Sequence, residues 1–307
     1  MTSGKLSVLI SCFNQRDFIA EAMTSFFEQD YENIEMIVLD DGSIDDSMDV
    51  IASVAPKAPF PVRFQTQANH GAAYTFSKLA DMASGDYLLF MGGDDFVAPN
   101  SLRQRIEALE QNSDLFCASA LCRHFRDGKI AEFSFAGEKI LRFNDLSVSE
   151  MLDVMKRYRL TEDGMFILPA TIIRRRDFIE AGGFDKDMIG DDSVLFYRIF
   201  VHAAKKKRKF IIFPEVVFFY RQHGENTCKN PEAMWLRFSE LYTKLGFCSR
   251  RQASFSAYST YMQKVRQSGK WYQKDILKLI FNDPAVIKWL TLGAICRDLF
   301  FPRFRRF

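Results

Sequence analysis

The chain has 307 residues, 48% apolar and 26% charged, a balance that excludes general disorder and allows one large α/β domain with an extension or two small domains. Its 41 basic and 39 acidic residues leave a net charge of +2, so there is no global nucleic-acid signal and any basic patch must be argued locally. The 31 phenylalanines call for a large aromatic core or an apolar surface that meets lipid.

The first apolar run, 6–11, is short and lacks a preceding basic region, so it reads as a buried strand and not as a signal peptide. A helical pattern over 17–29 follows, then a strand over 35–39 stopped by Asp40-Asp41-Gly42-Ser43. The alternation continues with a helix over 45–54, a strand over 62–65, a helix over 72–83 and a strand over 87–91. Strands alternating with helices of this length predict βαβ units and a parallel sheet covered on both faces. From Leu115 the pattern changes. Strands over 116–125 and 129–135 flank the turn Arg126-Asp127-Gly128. A helix over 147–158, a strand over 166–173, a helix over 191–203 and a strand over 210–220 come next, and helices run from Asn230 to the end. The six cysteines form no CxxC pair, which favours reduced thiols over a zinc site or disulfides. No stretch of about 18 uninterrupted apolar residues occurs, so the expected location is cytoplasmic.

In an open parallel sheet, ligands bind beyond the carboxyl ends of the strands. The polar groups there are Ser11-Cys12-Phe13-Asn14, Asp40-Asp41-Gly42-Ser43 and Gly92-Gly93-Asp94-Asp95. Each has a plainer reading: Ser43 could cap the helix that follows it, and Asp94-Asp95 could cap a helix at Asn100 or Ser101. Two acidic doublets at neighbouring strand ends repel one another without a cation, however, so a divalent metal or a hydrogen-bonding ligand is expected. A third doublet, Asp191-Asp192, stands at a helix start behind the tight turn Gly182-Gly183-Phe184-Asp185.

Taken together, these residues resemble glycosyltransferase family 2. The family's opening VSVIIPxYN matches Leu6 to Asn14, and its VDDGS matches Leu39-Asp40-Asp41-Gly42-Ser43. Its NxG segment matches Asn69-His70-Gly71, and AxGxYIxFLDxDD matches Ala83 to Asp95. GGFDE and EDxxLxxR correspond to Gly182 to Asp185 and Asp191 to Arg198, and YRxHxxN to Tyr220 to Asn226. These elements, in order, cover roughly residues 5–226, a specific match as a set. Two positions depart from the pattern. Gly92 stands where the family has the first acid, and Phe13 stands in place of the common Tyr.

The resemblance implies a GT-A fold: a Rossmann-like nucleotide-binding half with a mostly parallel sheet, a fused acceptor-side half, and a C-terminal helical extension, divided as 1–227 and 228–307. It implies an inverting transfer from a nucleotide-sugar donor, a UDP- or dTDP-sugar, to a hydroxyl of a glycan or lipid-linked glycan, as in cell-envelope polysaccharide synthesis. Ser11, Phe13, Asn14, Asp41, Asn69, Gly71 and Gly93 would surround the nucleotide. Asp94, with Asp95 and His223, would hold Mg²⁺ or Mn²⁺, and Arg221 would face the phosphates. Asp192 would be the catalytic base, supported by Asp191.

Two basic features remain. The run Lys205-Lys206-Lys207-Arg208-Lys209 between a helix and a strand reads as a solvated loop, with a phosphate- or lipid-facing role as the alternative. The last twenty residues mix Trp289, Leu299, Phe300, Phe301, Phe304 and Phe307 with Arg297, Arg303, Arg305 and Arg306, which suits a peripheral contact with an anionic membrane. Docking onto the catalytic domain and homodimerisation are the competing readings. The rival to an active enzyme is an inactive sugar-nucleotide-binding relative, suggested by Gly92. A dinucleotide oxidoreductase is excluded because residues 11–17 hold no glycine. A receiver domain is excluded by length.

Overall fold

The computed structural model describes residues 3–131, 138–157, 166–186 and 192–224. The chain divides into two compact units, one of Met1–Asp187 with Asp191–Gln222 and one of Met188–Gly190 with His223–Phe307. In the first unit the strands β1 (Leu6–Cys12), β2 (Ile34–Asp40), β3 (Val62–Thr66) and β4 (Tyr87–Gly92) form a parallel set in the order β3-β2-β1-β4. The helices α1 (Ile19–Thr24), α2 (Ser47–Val54) and α3 (Ala72–Met82) connect them. Strands β1, β2 and β4 are apolar along almost their whole length and buried on both faces, as a sheet covered by helices on both sides requires. β3 is the exposed edge and carries Arg63 and Gln65, which protect it against pairing with another chain.

The sheet continues past β4 in mixed directions. α4 (Arg103–Gln111) leads into β6 (Leu115–Arg126), which pairs antiparallel with the two-residue β7 (Lys129–Ile130). Asp127 and Gly128 both have positive φ in the connecting turn, the conformation a tight hairpin favours. A short strand β8 (Thr171–Arg174) lies antiparallel between β4 and β6, and β9 (Lys209–Arg221) runs parallel to β6. The two-residue β5 (Phe96–Val97) closes the far edge against the end of β9. Pro214 falls within a register shift of the β6–β9 ladder, between Ile212 and Val216, where its missing N–H breaks no regular bond. α5 (Val148–Arg157), α6 (Arg175–Glu180) and α7 (Asp192–Lys205) complete the described unit.

Many of the phenylalanines form two core clusters. Phe76, Phe90, Phe178 and Phe184 pack with ring centroids 5.1–5.7 Å apart behind the parallel strands. Phe116, Phe166, Phe196, Phe200 and Phe210 do the same between α7 and the mixed strands, at 5.0–5.7 Å. Of the two readings of the high Phe content, these rings take the aromatic core. Among the described residues no helix is long and apolar enough to cross a membrane. The aromatic and basic C-terminal stretch lies outside the described residues.

Candidate active site

The parallel register fixes where the strand ends lie. Ser11 is level with Gly92, Cys12 with Asp40, and Asp40 with Thr66. All four C-terminal ends therefore open on one edge of the sheet. The β2 and β4 ends stand two strand spacings apart, about 10 Å, with the β1 end between them. That central end presents Phe13, whose ring is 45% exposed. A large bare aromatic ring at the mouth offers a stacking face.

At the β2 end both carboxylates are buried and shape the loops. Asp40 accepts from the Ser43 amide at 3.2 Å, from the Ser43 hydroxyl, and from Thr66 Oγ1 at 2.8 Å. Asp41 Oδ1 accepts from Gln67 Nε2 at 2.8 Å and the His70 amide at 2.9 Å, and Oδ2 from the Gly71 amide at 2.8 Å. Three of about four acceptor sites on the Asp41 carboxylate are thus filled, which leaves capacity on Oδ2 for one more donor. Ser43 does not cap α2, as the plainer reading had it. Asp41 instead meets amides just before α3, whose cap residue Gly71 has φ +87°. Gly42, at φ +78°, lies where a Cβ would come within 3.0 Å of the Asn69 amide. The glycine lets the 67–71 loop fold over the acidic pair.

Asn14, expected at the nucleotide, works as a staple in this structure. It has φ +52°, its amide donates to Ser43 Oγ at 2.8 Å, and its Oδ1 accepts from the Ile44 amide at 2.9 Å. Gly93 is likewise set by packing. Its amide donates to the Ser11 carbonyl at 2.8 Å, and a Cβ there would lie 2.6 Å from Gln15 Oε1 and 2.7 Å from Ile19 Cδ1. Ser11 stands half-buried at the end of β1, and Asn69 is exposed on the 67–71 loop.

At the β4 end the two acids diverge. Asp94 is half-buried, whereas Asp95 is 5% exposed and accepts from the Arg221 amide at 2.8 Å. Burial and the Asp94 carboxylate push the Asp95 carboxyl well above the usual range, against the pull of the Arg221 amide and guanidinium. Asp95 therefore faces inward to β9, and Asp94 is the more accessible of the two acids. Among the described residues no three His, Cys, Asp or Glu side chains converge as a ready-made metal site. One carboxylate completed by substrate phosphates is a donor set that Mg²⁺ and Mn²⁺ accept. The missing acid at Gly92 has a local reason: a Cβ there would lie 2.7 Å from Asp94 Oδ1.

Arg221 is enclosed. Its guanidinium lies 5.1–5.2 Å from the ring centroids of Phe18, Phe96 and Phe125, Nε donates to the Asp94 carbonyl at 2.8 Å, and Nη2 donates to Glu21. In this structure Arg221 clamps the Asp94-Asp95 turn. Gln67, Glu21 and Gln15 were not singled out from sequence, because no motif marks a residue whose partner is set by sheet register. Arg198 of α7 donates to the Gly182 carbonyl at 3.1 Å and ties the Gly182-Gly183 turn to that helix. The backbone of Asp192 opens α7. Asp191 and the Asp192 side chain lie outside the described residues, and His223 belongs to the second unit.

The model for glycosyl transferase family 2 matches residues 7–182, more than half of the chain. The chain belongs to glycosyl transferase family 2. Within the family, it is 23% identical over 248 residues to glycosyltransferase GlyG of Streptococcus pneumoniae, covering 79% of each chain. It is 36% identical over 111 residues to an uncharacterized glycosyltransferase of Nostoc, covering 36% of this chain and 34% of that one. The chain spans between 24% and 45% of the length of the first three curated relatives it matches. Two solved structures are similar. The mannosyltransferase PcManGT of Pyrobaculum calidifontis, in complex with GDP-Man and Mn²⁺, has a TM-score of 0.57 at 15% identity, covering 95% of this chain and 80% of that one. S. aureus TarS 1-349, in complex with UDP-GlcNAc, has a TM-score of 0.55 at 14% identity, covering 90% and 78%. At these identities the likeness establishes the fold, which is that of the GT-A glycosyltransferases.

Proposed function

We propose that the chain transfers a sugar from a nucleoside-diphosphate sugar to a hydroxyl of a glycan or lipid-linked glycan, with inversion at the anomeric carbon. The observation that carries this reading is the convergence of the Phe13, Asp41 and Asp94 loops on one edge of four parallel strands, in a chain of this family. Phe13 stacks on the base, and the remaining acceptor on Asp41 Oδ2 takes a base N–H, which suits uracil or thymine. Asp94 holds Mg²⁺ or Mn²⁺ at the diphosphate. A cation held there supplies Lewis-acid stabilisation of the charge that grows on the leaving nucleoside diphosphate. Asp192 removes the proton of the attacking hydroxyl, work that general bases accelerate by on the order of 10²–10⁴-fold. Arg221 and Asp95 keep the Asp94 loop in place.

The experiment is a panel of sugar nucleotides assayed for release of free nucleoside diphosphate with and without Mn²⁺. A UDP- or dTDP-sugar is turned over with metal, Asp94→Ala removes the metal dependence, and Asp192→Asn lowers kcat by on the order of 10²–10⁴-fold. Equal turnover with and without metal sinks the Asp94 assignment. Gly92 favours a second reading, an inactive relative that binds sugar nucleotides. Binding without release of nucleoside diphosphate on any donor and acceptor tried selects it.

A further inference from the structure

The opposite edge of the sheet carries a second polar site. An open pocket of about 560 Å³ is lined by Ser84, Gly85, Asp86, Ser113, Glu180 and the consecutive Arg174, Arg175 and Arg176. Gly85 and Asp86 precede β4, and Arg174 is level with Tyr87, the first residue of β4. The pocket is therefore one β4 length, about 20 Å, from the Asp94 loop. It shares no lining residue with the candidate active site.

Its arginines divide into two kinds. Arg174 is spent on the fold: Nε donates to the Leu115 carbonyl at 2.7 Å and Nη2 to those of Leu109 and Asn112. Arg208 is spent too, donating to the Ser113 carbonyl and to Asp177 at 2.7 Å. Arg175 and Arg176 pair with no carboxylate among the described residues, and the Nε of Arg175 is buried without a hydrogen-bond partner. The two lining acids have other partners. The Asp86 carboxylate accepts from the Lys5 amide at 2.9 Å. Glu180 lies 3.2 Å from His202 Nε2 and 3.9 Å from Lys206 Nζ.

A guanidinium with a buried, unmet N–H is costly unless an acceptor fills the space. Arg175 carries such an N–H, Arg176 beside it is exposed, and two adjacent guanidinium groups match the planar, multi-oxygen geometry of phosphate. The run read from sequence as a solvated loop borders this pocket, since Arg208 holds Ser113 and Lys206 reaches Glu180. Lys205, Lys207 and Lys209 are exposed beside them and add long-range attraction for an anion.

We propose that this pocket binds a phosphate group, with Arg175 and Arg176 as its donors and Ser113 Oγ as a third. Phosphate on a lipid head group and phosphate on a soluble molecule share this chemistry, and the test separates them. The full chain is titrated with inorganic phosphate while backbone amide NMR signals are followed. In parallel it is sedimented with phosphatidylcholine vesicles containing phosphatidic acid, and with phosphatidylcholine alone. Saturable shifts at Gly85, Ser113 and Arg176, weakened at least tenfold in Arg175→Gln/Arg176→Gln, support the site and a soluble source. Co-sedimentation that needs phosphatidic acid and drops at least tenfold in the same variant supports it with a lipid source. Arg176→Gln alone, at an exposed position, weakens binding without risk to folding. Three outcomes overturn the site. They are binding of neither probe, shifts confined to the amides of Gly71 and Gly93, and binding that is lost in Lys205→Gln/Lys207→Gln/Lys209→Gln but kept in the arginine variants.

Discussion

Gly92 decides how the Asp94 carboxylate sits. With no side chain at 92, Asp94 Oδ1 lies 2.7 Å from the point a Cβ would occupy, a separation that real Cβ atoms do not tolerate. Restoring the acid usual in the family, Gly92→Asp, therefore displaces Asp94 and adds a like charge beside it. Donor binding measured by calorimetry in Mn²⁺ is expected to weaken by about tenfold or more, near 1.4 kcal/mol. Tighter binding in the variant means that a second carboxylate helps the cation and that Asp94 can move. Two strands away, Asp41→Asn tests the capping role. An amide nitrogen cannot accept from the His70 or Gly71 N–H groups, so at least one of these donors loses its charged partner. The expected loss is about 1–3 kcal/mol in urea unfolding, present with or without nucleotide. A variant as stable as the parent places the whole effect of Asp41 in ligand binding.

At the level of elements, the end of β9 supports the mouth from behind. Arg221 joins α1 through Glu21 and the Asp94-Asp95 turn through its Nε and amide, beneath three phenylalanine rings. Arg221→Met keeps much of the packing and the backbone bond to Asp95 but removes the guanidinium. It is expected to lower Tm by several degrees and to raise the Mn²⁺ concentration needed for half-maximal donor binding. An unchanged metal requirement with a lowered Tm restricts Arg221 to a structural role. The same region shows what the sequence could and could not convey. The parallel strands were legible because β1, β2 and β4 are mostly apolar runs, and their polar ends follow from strand direction alone. The strand expected over 166–173 is a 3₁₀ turn over Leu168–Ala170 and then the four-residue β8, because Pro169 supplies no amide to a ladder. β5, at two residues, is too short for any periodicity, yet it carries β9 to Asp95. The six-residue α6 went unread for the same reason. Asp94 and Phe13 could be picked from their place after a strand. That Arg221 clamps the turn, and that Asn14 staples two loops, depends on contacts across long separations in sequence that no local pattern encodes.

For the molecule as a whole, the two edges of the sheet do different work, and Glu35 holds the edge away from the mouth. Its buried carboxylate accepts from Ser7 Oγ on β1 at 2.7 Å and from the Ser84 amide and hydroxyl before β4 at 2.7 and 2.9 Å. It also pairs with Lys5 at 3.1 Å and with Arg63 on β3 at 3.2 Å. One side chain thus links all four parallel strands. Burial raises its pKa, but the bonds from Ser7, Ser84 and Lys5 outweigh burial and hold the carboxyl at about 2, below the ordinary 4.5. Because the folded value is depressed, the stabilisation is fully present above the unfolded pKa and is lost as pH falls through the folded one. The window runs from about pH 4.5 down to about 2, and the contribution at neutral pH is on the order of 3 kcal/mol. Glu35→Gln should therefore be less stable than the parent at pH 7, with the gap narrowing steadily as pH is lowered through that window in urea unfolding. A gap that stays constant with pH assigns the loss to hydrogen-bond geometry and removes the charge on Glu35 from the account of how the parallel half is held together.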